Sequence, residues 1–198
     1  RWEGLGWDSL RLSATLTGRS LTVSELTLRQ NDNEVEAEGQ SSLPGDWRAV
    51  MRSPFSASFR ATLADASSLA ALLGPALSGL SGGVNLEGSV KGADNKAEGY
   101  CNLEGQDVRI RKLPVDWLKG SLLFEGSKTR IAYLEAAGAG DRIALQGTVE
   151  NSNPHAYQGS ADLSLRNPAK TLAQLGLPSR DALGNGSVRG TWRGNGSA

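Results

Sequence analysis

The residues able to do chemistry in this chain are few and scattered. His155 is the only histidine and Cys101 the only cysteine. A Ser-His-Asp triad would have to use His155, which sits in SNPHAY (152–157) with no partner motif nearby. It reads as a solvated loop histidine. A single cysteine excludes an internal disulfide and any Cys-based metal cluster. It fits a reducing compartment, or an envelope protein that does without disulfides.

Other candidate motifs are equally bare. The glycine-rich stretches GLSGG (79–83) and GAGD (138–141) lack the Lys-Ser/Thr pair of a P-loop and the strand–GxGxxG–helix order of a dinucleotide site. Both read as hairpin connections. Glu34, Glu36 and Glu38 share one face of one strand and read as a solvated edge that discourages aggregation. RIRK (109–112) is a small basic patch, read as a wet face, with contact to anionic lipid headgroups as the alternative. NGS at 185–187 and 195–197 matters as a glycosylation sequon only in a eukaryotic secretory route. The expectation is therefore no enzyme, no cofactor and no metal site.

The elements that carry these residues follow from composition and periodicity. The chain has 198 residues, 38% hydrophobic, with 25 glycines, which favours short strands and turns over a helical bundle. Its formal net charge is zero, so no global field recommends a nucleic-acid partner. No apolar run approaches the roughly 20 residues a membrane-spanning helix needs, and no stretch reads as a signal peptide. The chain opens on Arg1-Trp2 without a Met, and the expectation is a piece of a longer protein.

Period-2 alternation dominates. LRLSATLTG (10–18), NEVEAEG (33–39), FSASFRATL (55–63), VNLEGSVKG (84–92), SLLFEG (121–126), RIALQGTVE (142–150) and YQGSADLSL (157–165) each set apolar against polar positions. This is the pattern of antiparallel strands covered on one face. Sliding the chain on itself reveals a repeat. At an offset of 108, Asp8 meets Asp116, Leu16 meets Phe124 and Gly39 meets Gly147; after a deletion, at 102, Leu86 meets Val188 and Gly88 meets Gly190. The reading is nearly two copies of a unit of a little over 100 residues. The first copy is 1–106, incomplete at its start, and the second is 107–198, incomplete at its end; together they make one continuous β-groove. Each copy has one short helix. One is expected near 66–73, capped by Asp65 and stopped by Gly74-Pro75; the other near 168–175, capped by Asn167 with Pro168 at its first position.

Glycines recur in the apolar phase (Gly18, Gly39, Gly88, Gly126, Gly147 and Gly190), and Ala14, Ala37, Ala57 and Ala61 thin it further. Glycine lets a sheet bend or bulge. The expected fold is mainly β: an elongated, curved antiparallel sheet with two short helices. Its concave apolar side is lined by Leu12, Leu16, Val35, Phe59, Leu63, Leu86, Leu103, Ile110, Phe124, Ile131, Ile143, Leu145 and Leu163. A trough without hydrogen-bonding partners suits an acyl chain or an apolar peptide segment. The alternative is that helices and the opposite wall fill it.

Several of these segments together resemble a known family. Strands ending in L-x-G (LEG 86–88, LEG 103–105, FEG 124–126, LQG 145–147), the short helix DASSLAALLG, the following GLSGGVNLEGSVKG and the run KAEGYCNLEGQDVRIRKLPVDWLKGSLLFEG (96–126) are similar to the AsmA-like/TamB proteins of Gram-negative envelopes. The resemblance implies a β-taco groove in the periplasm, anchored to the inner membrane in the full-length protein. It implies transfer of phospholipid toward the outer membrane, or shielding of a hydrophobic client polypeptide during outer-membrane protein assembly, with an Omp85-type barrel as a docking partner. The competing reading is a structural β-solenoid or sandwich segment of a surface adhesin or carbohydrate-binding protein, against which stands an aromatic content of only 6%.

Overall fold

The computed structural model describes residues 8–44, 52–67, 79–94, 96–110, 112–151, 155–174 and 184–196. The protein is mainly β. The strands are β1 (Ser9–Thr17), β2 (Ser20–Gln30), β3 (Asn33–Ser42), β4 (Phe55–Leu63), β5 (Leu80–Ala93), β6 (Lys96–Ile110), β7 (Leu113–Gly126), β8 (Lys128–Gly138), β9 (Asp141–Glu150), β10 (His155–Leu165) and β11 (Gly186–Gly196). They form one 11-stranded sheet in strict chain order. Every neighbouring pair is antiparallel. One short helix, α1 (Pro168–Gln174), follows β10.

Alternation explains the strands, and turn chemistry explains their order. Thr17 pairs with Ser20, Gln30 with Asn33, Glu125 with Lys128 and Gly138 with Asp141, so each of these connections has only two loop residues. Their first residues, Gly18, Asn31, Gly126 and Ala139, all have φ between 52° and 70°. That left-handed start matches the twist of a tight hairpin. The two glycines placed in the apolar phase by sequence, Gly18 and Gly126, therefore serve the turn rather than the face. GLSGG corrects a second expectation, because it is not a connection. Leu80 to Gly83 open β5, with a bulge between Ser81 and Gly83 at which Gly82 takes φ 97°. A β-carbon there would sit 2.5 Å from the Asp107 carbonyl oxygen.

β3 is not an edge either. It lies between β2 and β4, and only β1 and β11 end the sheet. Alternation fixes which face a side chain occupies and says nothing about which strands flank it.

Bulges keep the faces in phase. β2 skips Ser24-Glu25 between Val23 and Leu26, and β8 skips Ala132-Tyr133 between Ile131 and Leu134. Without the extra residue, Leu26, Leu28 and Leu134 would turn to the polar side. These two bulges lie 108 positions apart. So do β2 and β8, each of 11 residues, and β3 and β9, each of 10. The pairing of β4 with β5 recurs in β10 with β11 at an offset of 102: Phe55–Gly92 corresponds to Tyr157–Gly194, and Leu63–Val84 to Leu165–Gly186.

The core sits at one end of the apolar face, around Ala61, Leu63, Ala66, Val84, Val108, Leu113, Val115, Leu118 and Ala136. Two connections leave the sheet there. Asp65 follows β4; its carboxylate accepts hydrogen bonds from the Ser67 and Gly82 amides at 3.0 and 3.1 Å. Asn167 caps α1, accepting the Lys170 amide at 3.1 Å, and Pro168 takes the first helical position. The helix expected near 66–73 lies mainly outside the described residues.

Candidate functional site

The register assembles the apolar face residue by residue. Cross-strand partners share a face, so Leu12, Leu26, Ala37, Phe59, Gly88, Cys101, Leu122, Ile131, Gly147, Gly159 and Trp192 form one unbroken row. The adjacent row runs Leu10, Leu28, Val35, Ala61, Leu86, Leu103, Gly120, Leu134, Leu145, Ala161 and Gly190. A third contains Leu63, Val84, Leu118, Ile143, Leu163 and Val188. A fourth contains Ala14, Val23, Ala57, Val90, Phe124, Val149 and Tyr157. None of these rows holds a charged residue. Ten inter-strand steps of about 4.8 Å make the strip about 48 Å long.

All the residues assigned to the apolar lining from sequence lie on this one face. Leu12, Phe59 and Ile131 share the first row; Val35, Leu86, Leu103 and Leu145 the second; Leu63, Ile143 and Leu163 the third; Phe124 the fourth. Leu16 continues the phase of β1, and Ile110 continues that of β6 beyond a phase shift at Gln106-Asp107. Sequence reasoning omitted Leu26, Leu28 and Leu134, because the bulges break simple alternation there. It also omitted Trp192, which lies in the glycine- and arginine-rich run RGTWRG (189–194). The repeat offset of 102, which lays Trp192 over Val90 in the apolar phase of VNLEGSVKG, was the available signal.

Cover is uneven along the strands. Leu63 is 2% exposed and Val108 1%, whereas Val35, Phe59, Leu86, Leu103, Phe124, Ile131, Ile143, Leu145 and Leu163 are half-buried. At the β1 edge Leu12 and Leu16 are 59% and 60% exposed. Cys101 is half-buried on this face, and burial raises its thiol pKa above the ordinary value.

The opposite face is polar and charge-balanced. Arg60 faces Glu87 at 3.7 Å, Lys91 faces Glu98 at 3.3 Å, Lys119 faces Glu104 at 3.3 Å, and Arg142 faces Glu135 at 2.9 Å. Glu34 accepts from Arg29 at 2.6 Å, and Glu38 from the Ser58 hydroxyl at 2.9 Å. Concavities lie over the bulges on this side. One of about 740 Å³ is lined by Arg130, Gln146, Gln158, Ser160, Thr191 and Arg193 among others. Another, of about 430 Å³, involves Ser24, Glu25, Glu36, Arg60 and Tyr100.

His155 is not a solvated loop residue: it opens β10 and is half-buried, with Nδ1 3.0 Å from the Glu150 carbonyl oxygen. Among the described residues no cluster of His, Cys, Asp and Glu could hold a metal ion. Of the basic patch, Arg109 and Lys112 are exposed and Arg111 lies outside the described residues. No described helix is long and apolar enough to cross a membrane.

In comparisons with known proteins, no family model matches the chain, no curated relative matches it and no solved structure matches its fold.

Proposed function

We propose that the uncharged strip carries the acyl chains of phospholipid, or an apolar segment of a client polypeptide, through water between two membranes. The observation that carries this reading is the unbroken run of uncharged cross-strand rows across eleven strands, set against a face rich in ion pairs. A strip without polar partners discriminates by apolarity alone, which is what an acyl chain offers. Glycines and alanines among the leucines keep the surface low, leaving depth for an occupant.

In this reading the chain is a segment of an AsmA/TamB-like protein of a Gram-negative envelope. It lies in the periplasm, is tethered to the inner membrane in the full-length protein, and works beside an Omp85-type barrel. The sheet curves around the apolar side and is built from a unit of a little over 100 residues, a reading supported by the recurring bulges and registers. It needs no catalytic residue and no cofactor.

Photo-crosslinking tests it. A photoreactive residue at Leu12, Phe59 or Leu145 captures lipid when the protein is made in a Gram-negative envelope. The same residue at Glu36, Arg60, Glu87 or Gln146 does not. Equal capture from both faces, or none from the apolar one, overturns the proposal. Detergent-free native mass spectrometry then identifies the occupant as lipid or peptide.

A further inference from the structure

We infer that each edge of the sheet is an acceptor for one more antiparallel strand of the β6 type, an extended segment from outside the described residues that alternates small apolar with acidic or polar residues. The inference rests on strand register and stands whether or not the strip carries lipid.

β1–β3 and β7–β9 share their registers at an offset of 108, and β4–β5 and β10–β11 at 102. β6 alone has no counterpart among the described residues. It fills the seam, pairing with β5 on one side and β7 on the other. The outer edge of β11 corresponds to the edge of β5 that β6 covers. The outer edge of β1 corresponds to the edge of β7 that β6 covers. Among the described residues neither outer edge has a partner, and both strands are exposed along almost their whole length.

Side chains at these edges match what β6 presents. Within the seam, Glu98 pairs with Lys91 and Glu104 with Lys119. The positions that correspond to Lys91 and Lys119 are Arg193 on β11 and Arg11 on β1, so each edge keeps a cation where β6 brings a carboxylate. Size matches as well. Cys101 lies opposite Gly88 and Leu122, which correspond to Gly190 and Ala14. Gly99 lies opposite Val90 and Phe124, which correspond to the bulky Trp192 and Leu16. A second copy of this chain fits β11 less well: antiparallel pairing centred on Thr191 sets Arg189 against Arg193, like charges directly opposed. Strand addition of this kind takes affinity from main-chain hydrogen bonds and specificity from alternate side chains.

Cysteine crosslinking to a synthetic peptide of the β6 sequence, KAEGYCNLEGQDVRI, reads the register directly. The intact chain carries Cys101→Ala and one added cysteine. Ala14→Cys and Gly190→Cys form the mixed disulfide about tenfold better than Ser13→Cys and Arg189→Cys, because only directly opposed β-carbons meet disulfide geometry and a one-residue slip reverses the faces. Both target sites are exposed, and a β-carbon at Gly190 meets nothing within 4 Å, so the fold tolerates them; far-UV circular dichroism checks it. A peptide with Glu98→Lys and Glu104→Lys crosslinks about tenfold less, the charge pairs now being repulsive. Equal yields in both phases, no yield at Ala14→Cys and Gly190→Cys, or a chain-to-chain disulfide through Gly190→Cys that the peptide does not displace, each overturns the inference.

Discussion

Phe59 and Gly88 are direct cross-strand partners on the apolar face, and a β-carbon built on Gly88 would stand 2.6 Å from the Phe59 ring and 2.6 Å from the Tyr100 carbonyl oxygen. The ring can swing away but the carbonyl belongs to the sheet, so Gly88→Ala costs about 1–3 kcal/mol of overpacking. Phe59→Leu in the same chain recovers only part of that. Gly190 holds the corresponding place on β11 and meets nothing within 4 Å. Gly190→Ala is therefore neutral within about 0.5 kcal/mol. Urea unfolding of the two variants checks the contrast, and equal losses contradict it.

A charge placed on the apolar face separates its closed end from its open length. Leu63 is 2% exposed within the core, and Leu63→Asp buries an unpaired carboxylate, a loss of about 4 kcal/mol or more. Leu86 packs against the same core, and Leu86→Asp fails in the same direction. Leu145 is half-buried on the strip, where water can reach the new carboxylate. Leu145→Asp keeps the fold, lowers the melting temperature by only a few degrees, at about 2–4 °C per kcal/mol, and abolishes lipid capture by a photoreactive residue at Phe59. Thermal unfolding beside that capture assay reads both arms. Leu145→Asp that unfolds as Leu63→Asp does means the strip is filled core.

Acid weakens the exit from β4 through Asp65. The Ser67 hydroxyl and amide, hydrogen-bonded to its carboxylate, and to a lesser extent the Gly82 amide, hold its pKa below the ordinary 3.8. A carboxyl whose folded pKa is depressed stabilises the fold above its unfolded pKa. That contribution is lost as pH falls through the folded value. Asp65→Ala therefore lowers stability by about 1 kcal/mol at pH 7. The gap between variant and wild type closes on acidification below about pH 4. Melting temperatures of both proteins from pH 7 to pH 2 test this; a gap that persists at pH 2 refutes it.

Thr171 anchors α1 to the sheet. It is 3% exposed, and its hydroxyl donates to Asp141, which also accepts the Arg166 amide at 2.7 Å. Thr171→Val keeps the shape and removes the donor, with an expected loss of about 1–2 kcal/mol. Thr171→Ser retains the bond and loses less. Chemical denaturation ranks the three proteins, and a valine variant as stable as wild type shows that the bond contributes nothing.

Cys101 provides a solvent probe of the strip. Half-buried and with its thiol pKa raised by burial, it reacts with a disulfide reagent at pH 8 more slowly in the folded protein than in urea. An acyl occupant slows it further. Identical rates folded and unfolded mean that this row is open to bulk water.

The antiparallel strands and their two faces were legible because side-chain alternation is local: φ and ψ in the β region send successive side chains to opposite sides whatever the strand later meets. The same locality made Asn167 and Pro168 readable as the start of α1, and GAGD as a hairpin connection. Locality also explains the misreadings. Glu34, Glu36 and Glu38 alternate as an edge strand would, yet β3 has neighbours on both sides. Gly18 and Gly126 sit in the apolar phase by number, and left-handed turns by φ. GLSGG carries turn residues, and the sheet uses them as a bulged strand opening.

By itself the sequence determined the strand-rich class, the uncharged composition of one face and the charge balance of the other. The tertiary structure alone decided that all eleven strands join in chain order, that paired bulges in β2 and β8 keep Leu26 and Leu134 on the apolar side, and that burial concentrates around Leu63, Val84, Val108 and Leu118. The reason is physical. A strand's periodicity is set by its own backbone, whereas its neighbours, its register and its cover are set by hydrogen bonds and contacts with residues far away in the chain.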